Sequence, residues 1–220
     1  MLSHENLTAT ATCVKIDETG MSDQTRPYRM KRRAELEEQT RTRIAASTAA
    51  LHEEVGPGRT SISAVAERAG VRRSTVYRHF PDEEALFAAC SSHWHAANPS
   101  PDPRAWAAIE DPGERTEIAF GELYAFYGRT ERMYASLLRD EPVVPIVQRL
   151  LGDFYDYLRA IQDILIAGRG LRGRAARRTR AAIGHALAFP TWRSLTREQG
   201  LADGEAIALM CALVEGSAGR

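Results

Sequence analysis

The stretch from Thr60 to Phe87, TSISAVAERAGVRRSTVYRHFPDEEALF, admits few folds because it places two short apolar periods on either side of a single glycine. Ile62, Val65, Ala66 and Ala69 recur at helical spacing, and Ser61 ahead of them is a residue type whose side-chain oxygen accepts an orphan N–H at a helix start. Gly70 ends that helix, since glycine adopts the left-handed conformation without a Cβ clash, and Val71 turns the chain inward. A second helix is predicted from about Arg72 to His79, with Val76 and Phe80 as its inward face. Ala66 is small enough to let the two helices cross closely, as a helix-turn-helix requires.

The expected outward face of the second helix carries Arg72, Arg73, Ser74, Thr75, Tyr77 and Arg78, with His79 near its end. Arginine forks suit guanine edges, Ser and Thr suit adenine or thymine edges, and Tyr and His donate to phosphate. The alternative is a solvated charged helix inside an ordinary helical bundle. The run AERAGVRRSTVYRHFPDEEALF resembles the DNA-binding signature of the TetR family of transcriptional regulators, from the Ala-Gly turn through Tyr-x-His-Phe-Pro to Ala85-Leu86-Phe87. The resemblance covers about Arg41 to Phe87 and is diffuse beyond. It implies an N-terminal three-helix DNA-binding unit, an all-helical effector and dimer domain, and repression relieved by a small molecule. Two positions depart from the pattern. Glu83 stands where the family usually has lysine, and suits a helix N-terminus but not a phosphate; Ser74 stands where the family often has glycine.

The charge distribution agrees. The chain of 220 residues is formally neutral, yet residues 26–80 hold twelve Arg or Lys against six Asp or Glu, a net +6, while residues 1–25 and 81–220 each sum to −3. A positive segment that coincides with the helix-turn-helix is the electrostatic footprint of a DNA reader. Lys15 and Lys31 are the only lysines, so genomic base composition is another source of the arginines. Cys13, Cys90 and Cys211 form no CxxC pair and suit a reducing compartment. No run of about 18 apolar residues and no basic-then-apolar leader is present, so a soluble, cytoplasmic protein is expected.

Along the chain, residues 1–28 read as a flexible polar tail, in which Met21, like Met30 just beyond it, is a possible alternative start. The cluster Arg26, Arg29, Lys31, Arg32 and Arg33 is either an arm along a minor groove or a basic leader that adds only nonspecific attraction. A long amphipathic helix follows from about Lys31 to Glu54 on Leu36, Ile44 and Leu51, stopped by Gly56-Pro57-Gly58. Arg41 or Thr42 on it, with Arg59, Thr60 and Ser61 after it, are candidate backbone contacts to DNA. Residues 29–80 are therefore assigned to the DNA-binding domain and 81–220 to an effector-binding and dimerisation domain. A fourth helix from Pro81 to about Ala97 starts the second domain; by family resemblance it links effector pocket to DNA-binding unit, with Leu86, Phe87 and Trp94 as contacts. His93 and His95 fall on different helix faces, so no metal site is expected.

Beyond the break NPSPDP, helices are predicted from Asp111, from Thr130, after Pro145 to Gly168, from Arg172 to about Phe189, and from Asp203, with no strand pattern: an all-α bundle. The aromatic residues are mostly core, or some line a cavity; Tyr124, Tyr127, Phe154, Tyr155, His185 and Trp192 are the candidates for the latter. Arg172 to Arg180 form a solvated or inter-subunit face rather than a second DNA site. Small residues on the last two helices, Ala181, Gly184, Ala188, Ala208, Cys211 and Ala212, suit packing against a second copy or closure of the monomer's own core. No nucleophile–base pair, phosphate loop or metal quartet appears, so neither an enzyme nor a cofactor is expected. The partners expected are an operator duplex, a second copy of the chain and a small-molecule effector. A ligand-independent DNA-binding regulator and an activator are the alternatives.

Overall fold

The computed structural model describes residues 25–219, which form ten α-helices and no strand. The expected tail lies largely outside the described residues. Helix α1 (Thr25–Glu54) starts six residues earlier than the sequence suggests, so Arg29, Lys31, Arg32 and Arg33 stand on a helix and not on an extended arm. Up to Thr40 its described side chains are almost all exposed, Leu36 included, and Thr40 Oγ1 donates to the Leu36 carbonyl within the helix. Three basic and three acidic side chains over residues 31–39 leave Leu36 no apolar company to be buried with.

From Arg41 onward the chain builds two hydrophobic clusters. The first joins the second half of α1 to α2 (Ile62–Arg68), α3 (Arg73–His79) and the start of α4 (Glu83–Ala97), through Ile44, Leu51, Val65, Val76, Phe80 and Leu86. The second is the bundle proper: α6 (Pro112–Asp140) at its centre, packed against α7 (Pro145–Ile166), α8 (Gly173–Leu187), α9 (Phe189–Arg193) and α10 (Asp203–Ser217). Short α5 (Pro103–Ala107) begins on the last residue of the expected proline-rich break and buries Trp106; the Trp106 Nε1–H donates to Glu122, and Tyr157 donates to the Pro101 carbonyl.

Side-chain caps mark the starts of α2, α4, α5 and α6. Asp82 accepts the Ala85 N–H at 2.7 Å and Asp111 the Glu114 N–H at 2.7 Å. The break expected before Thr130 is absent: α6 runs 29 residues, because Gly128 alone lacks the positive φ or capping bonds that end a helix. At the last helix Asp203 is inside α10 rather than its cap; it accepts the Trp192 Nε1–H, while Glu205 accepts the Ala202 N–H. Pro190 ends α8 outright. Having no N–H, it cannot serve the Ala186 carbonyl; the Tyr124 hydroxyl donates there at 3.0 Å and Tyr127 donates to the Leu187 carbonyl at 2.6 Å. A buried Ser217–Thr179 hydroxyl pair joins α10 to α8.

Candidate nucleic-acid interface and ligand cavity

The helix-turn-helix forms as its residues dictate. Ser61 Oγ accepts the Ala64 N–H at 3.2 Å, and Gly70 sits at φ +63° while the Val71 N–H returns to the Ala66 carbonyl at 2.9 Å. Helix α1 holds both short helices by their C-terminal ends. Arg43 Nε donates to the Ala69 carbonyl at the end of α2, and Arg41 donates to the His79 carbonyl at the end of α3, its guanidinium lying 4.4 Å from the Phe80 ring centroid. Cationic donors at orphan carbonyls favour the helix dipole as well as the hydrogen bond. Arg68 of α2 forks onto Glu54 of α1.

On α3, Arg72, Arg73, Ser74, Tyr77 and Arg78 are exposed and Thr75 is half-buried. None of the Arg72, Arg73 or Arg78 side chains hydrogen-bonds to or pairs with another described residue. The remaining expected contacts are placed differently. His79 is buried, beside the inward residues Val76 and Phe80 at the i+3 and i+4 spacing, and its Nε2 has no partner. Arg41 is committed to the α3 cap, and the Thr60 hydroxyl donates to the Gly56 carbonyl at 2.8 Å; Ser61 is exposed but its oxygen serves the α2 cap. Arg59 and Thr42 are exposed.

The loop entering α2 is held from the bundle. Asp140, at the end of α6, accepts the Gly58 N–H at 2.9 Å and the Arg139 Nε–H at 2.8 Å, and Arg139 donates to the Val55 carbonyl. Burial opposes the ionisation of Asp140, but Arg139, the Gly58 N–H and Arg59 outweigh it and hold the carboxyl below its usual range. Gly56 has φ +90°, and a Cβ there would overlap the Arg139 guanidinium.

A cavity of about 370 Å³ opens among α1, α4, α6 and α7. Of the six residues expected to line such a cavity, only Phe154 does so. Tyr124, Tyr127 and Trp192 are core residues whose polar atoms are spent inside the protein; Tyr155 donates to Glu141; His185 is exposed on α8. The lining comes instead from α4, with Phe87, Cys90 and Trp94, and from an α7 stripe, Leu150, Asp153, Phe154 and Tyr157, at i, i+3, i+4 and i+7. That stripe was visible in the sequence as an apolar period interrupted by one acid. Burial lowers the His52 pKa to about 4, leaving a neutral ring 4.7 Å from that of Phe87, and pushes the Cys90 thiol up to about 12, so it stays protonated and donates to the Phe87 carbonyl. His52 and Phe87 also line a second hollow of about 310 Å³ beneath α2 and α3.

The outer faces of α8 and α10 leave Ala181, Ala208, Ala212, Leu209 and Leu213 exposed, with Ala188 and Cys211 half-buried. Gly184 serves the monomer: a Cβ there would meet the Gln162 amide of α7, which donates to the Arg180 carbonyl. Within the arginine run, Arg180 pairs with Asp163.

Residues 44–90 match the family model for bacterial regulatory proteins of the tetR family. No curated protein matches the sequence. Among solved structures, a Clostridium perfringens protein described as a "putative fatty acid metabolism regulator" is similar at TM-score 0.58 and 16% identity, over 79% of this chain and 97% of that one. A TetR transcription regulator from Haloarcula marismortui ATCC 43049 is similar at TM-score 0.53 and 14% identity, over 82% and 97%. At these identities the likeness is one of fold.

Proposed function

We propose, from the premise that residues 44–90 match the family model for bacterial regulatory proteins of the tetR family, that this chain is a DNA-binding transcriptional regulator, a homodimeric repressor that a small molecule releases from a palindromic operator. The observation that carries the reading is the outward face of α3, where the Arg72, Arg73 and Arg78 side chains spend no hydrogen bond on another described residue and flank Ser74 and Tyr77. Such a face fits the major groove, with arginine forks on guanine and the hydroxyls on neighbouring edges or phosphates. Residues 29–80 then serve as the DNA-binding domain, with Arg41, His79 and Thr60 shaping the reading helix from within, and residues 81–220 serve effector binding and dimerisation.

One seven-residue helix spans only a few base pairs. Two of them about 34 Å apart reach successive major grooves, and the exposed small and aliphatic residues of α8 and α10 supply the surface for pairing two copies. The cavity supplies the effector site, within the size range of about 300–1,000 Å³ typical of small-molecule pockets. An effector acts by favouring a separation of the two α3 helices that fits the operator poorly. The protein works in the cytoplasm, as a regulator and not an enzyme. Selection of bound duplexes from a random pool tests the reading: an enriched inverted repeat supports it, and failure to enrich any sequence, or enrichment of an unrepeated half-site alone, removes the dimeric operator.

A further inference from the structure

The cavity lining is unusual in its charge. No Arg or Lys lines it; His52 is neutral, and burial lowers the pKa of His95 as well. The only carboxylate among the described lining residues is that of Asp153, on the lining stripe of α7 and itself exposed to solvent. No cationic side chain among the described residues forms an ion pair with it. Arg149, one turn before it, is committed to Glu84 at 2.5 Å.

Around this carboxylate the walls are aromatic and contiguous. The Tyr134 and Phe154 ring centroids lie 4.7 Å apart, Phe154 stacks on Tyr157 at 6.1 Å, and Trp94 meets Tyr134 edge-on at 6.1 Å. The Tyr134 hydroxyl makes no hydrogen bond among the described residues, although the side chain is buried and lines the cavity, which leaves a polar handle for a ligand. Aromatic faces attract cations through their quadrupole, most strongly where water is excluded, and a lone carboxylate repels anions.

We propose that this cavity takes a lipophilic cation: a molecule with one positive charge, held against Asp153, on an aromatic or otherwise apolar body that fills the Trp94–Tyr134–Phe154–Tyr157 walls. The proposal rests on reading the cavity as the effector site and specifies its ligand class. It also separates this chain from regulators of carboxylate ligands such as free fatty acids, whose head group would meet Asp153 with no basic side chain to receive it.

Tetraphenylphosphonium and tetraphenylborate provide the test, since they share size and shape and differ in sign. Binding of each to the full-length protein is followed by calorimetry and by quenching of tryptophan fluorescence, with the wild type and with Asp153→Asn, a near-isosteric change at an exposed, unpaired position. The wild type binds the phosphonium at least about tenfold more tightly than the borate, and Asp153→Asn removes most of that preference. Equal or tighter binding of the borate, a preference that survives Asp153→Asn, or no binding of either ion overturns the proposal. A parallel measurement of operator release keeps the two readings apart. Phosphonium binding that depends on Asp153 but leaves the operator complex intact supports the ligand class and sinks the effector role. Release by a neutral or anionic compound, with no phosphonium binding, does the reverse.

Discussion

Arg41 shows how a side chain chosen by type as a phosphate ligand serves a different task. Its guanidinium caps α3 and stacks on Phe80, so Arg41→Ala lowers stability by about 1–2 kcal/mol, and weaker operator binding accompanies a lower unfolding midpoint. Arg73→Ala and Tyr77→Ala, at exposed positions without internal partners, weaken operator binding by about 1–3 kcal/mol with no change in midpoint, in gel shifts at fixed salt. His52 carries the pH dependence. Its pKa falls from 6.5 to about 4 on folding, so between those values the unfolded chain binds the extra proton, and stability rises with pH through that window and is lost as pH falls through it. Urea unfolding from pH 4.5 to 7 shows a slope, worth up to about 3 kcal/mol in total, that His52→Gln reduces. Most of α3 was legible in the sequence because Val76 and Phe80 fix which side faces in. His79 was misplaced although its position, one residue before Phe80 and three after Val76, already put it on that side.

At the scale of elements, true caps were legible in the sequence but could not be told from false ones. Ser61 caps its helix as its side chain predicts, and Asp111 does the same for α6, but Thr130-Glu131 mimics a helix start in the middle of α6, where no proline or left-handed residue interrupts the ladder. Helix α5 escaped notice because five residues carry too little periodicity, and Trp106 alone defines its buried side. Cavity residues were harder still: Tyr124 and Phe154 are equivalent by composition, and what separates them is that the Tyr124 hydroxyl is needed at the end of α8. That requirement gives a prediction. Tyr127→Phe leaves the buried Leu187 carbonyl without its donor and costs about 1–3 kcal/mol in denaturant unfolding, well beyond an exposed Tyr→Phe change.

For the whole molecule, the all-helical class and the position of the helix-turn-helix followed from apolar period and from Gly70. Assembly did not, since Leu209 and Leu213 on α10 are indistinguishable in sequence from the buried Met210 and Val214 until the helix is oriented. Leu213→Glu places a charge in the proposed pairing surface; sedimentation then reports monomers, and operator affinity falls even though α3 is untouched. Gly184, by contrast, answers to Gln162 within its own chain, so its replacement is a test of monomer stability rather than of pairing.

The break at Pro190 has a mechanical side. Two phenolic oxygens of α6 are moored to the final carbonyls of α8, at 3.0 and 2.6 Å, in place of the donors a continuing helix would provide. Apolar surfaces slide past one another at little cost, whereas such moorings have a direction and a narrow tolerance in length. A small displacement of α6, which also forms one wall of the cavity, therefore tows the end of α8 with it rather than gliding beneath it.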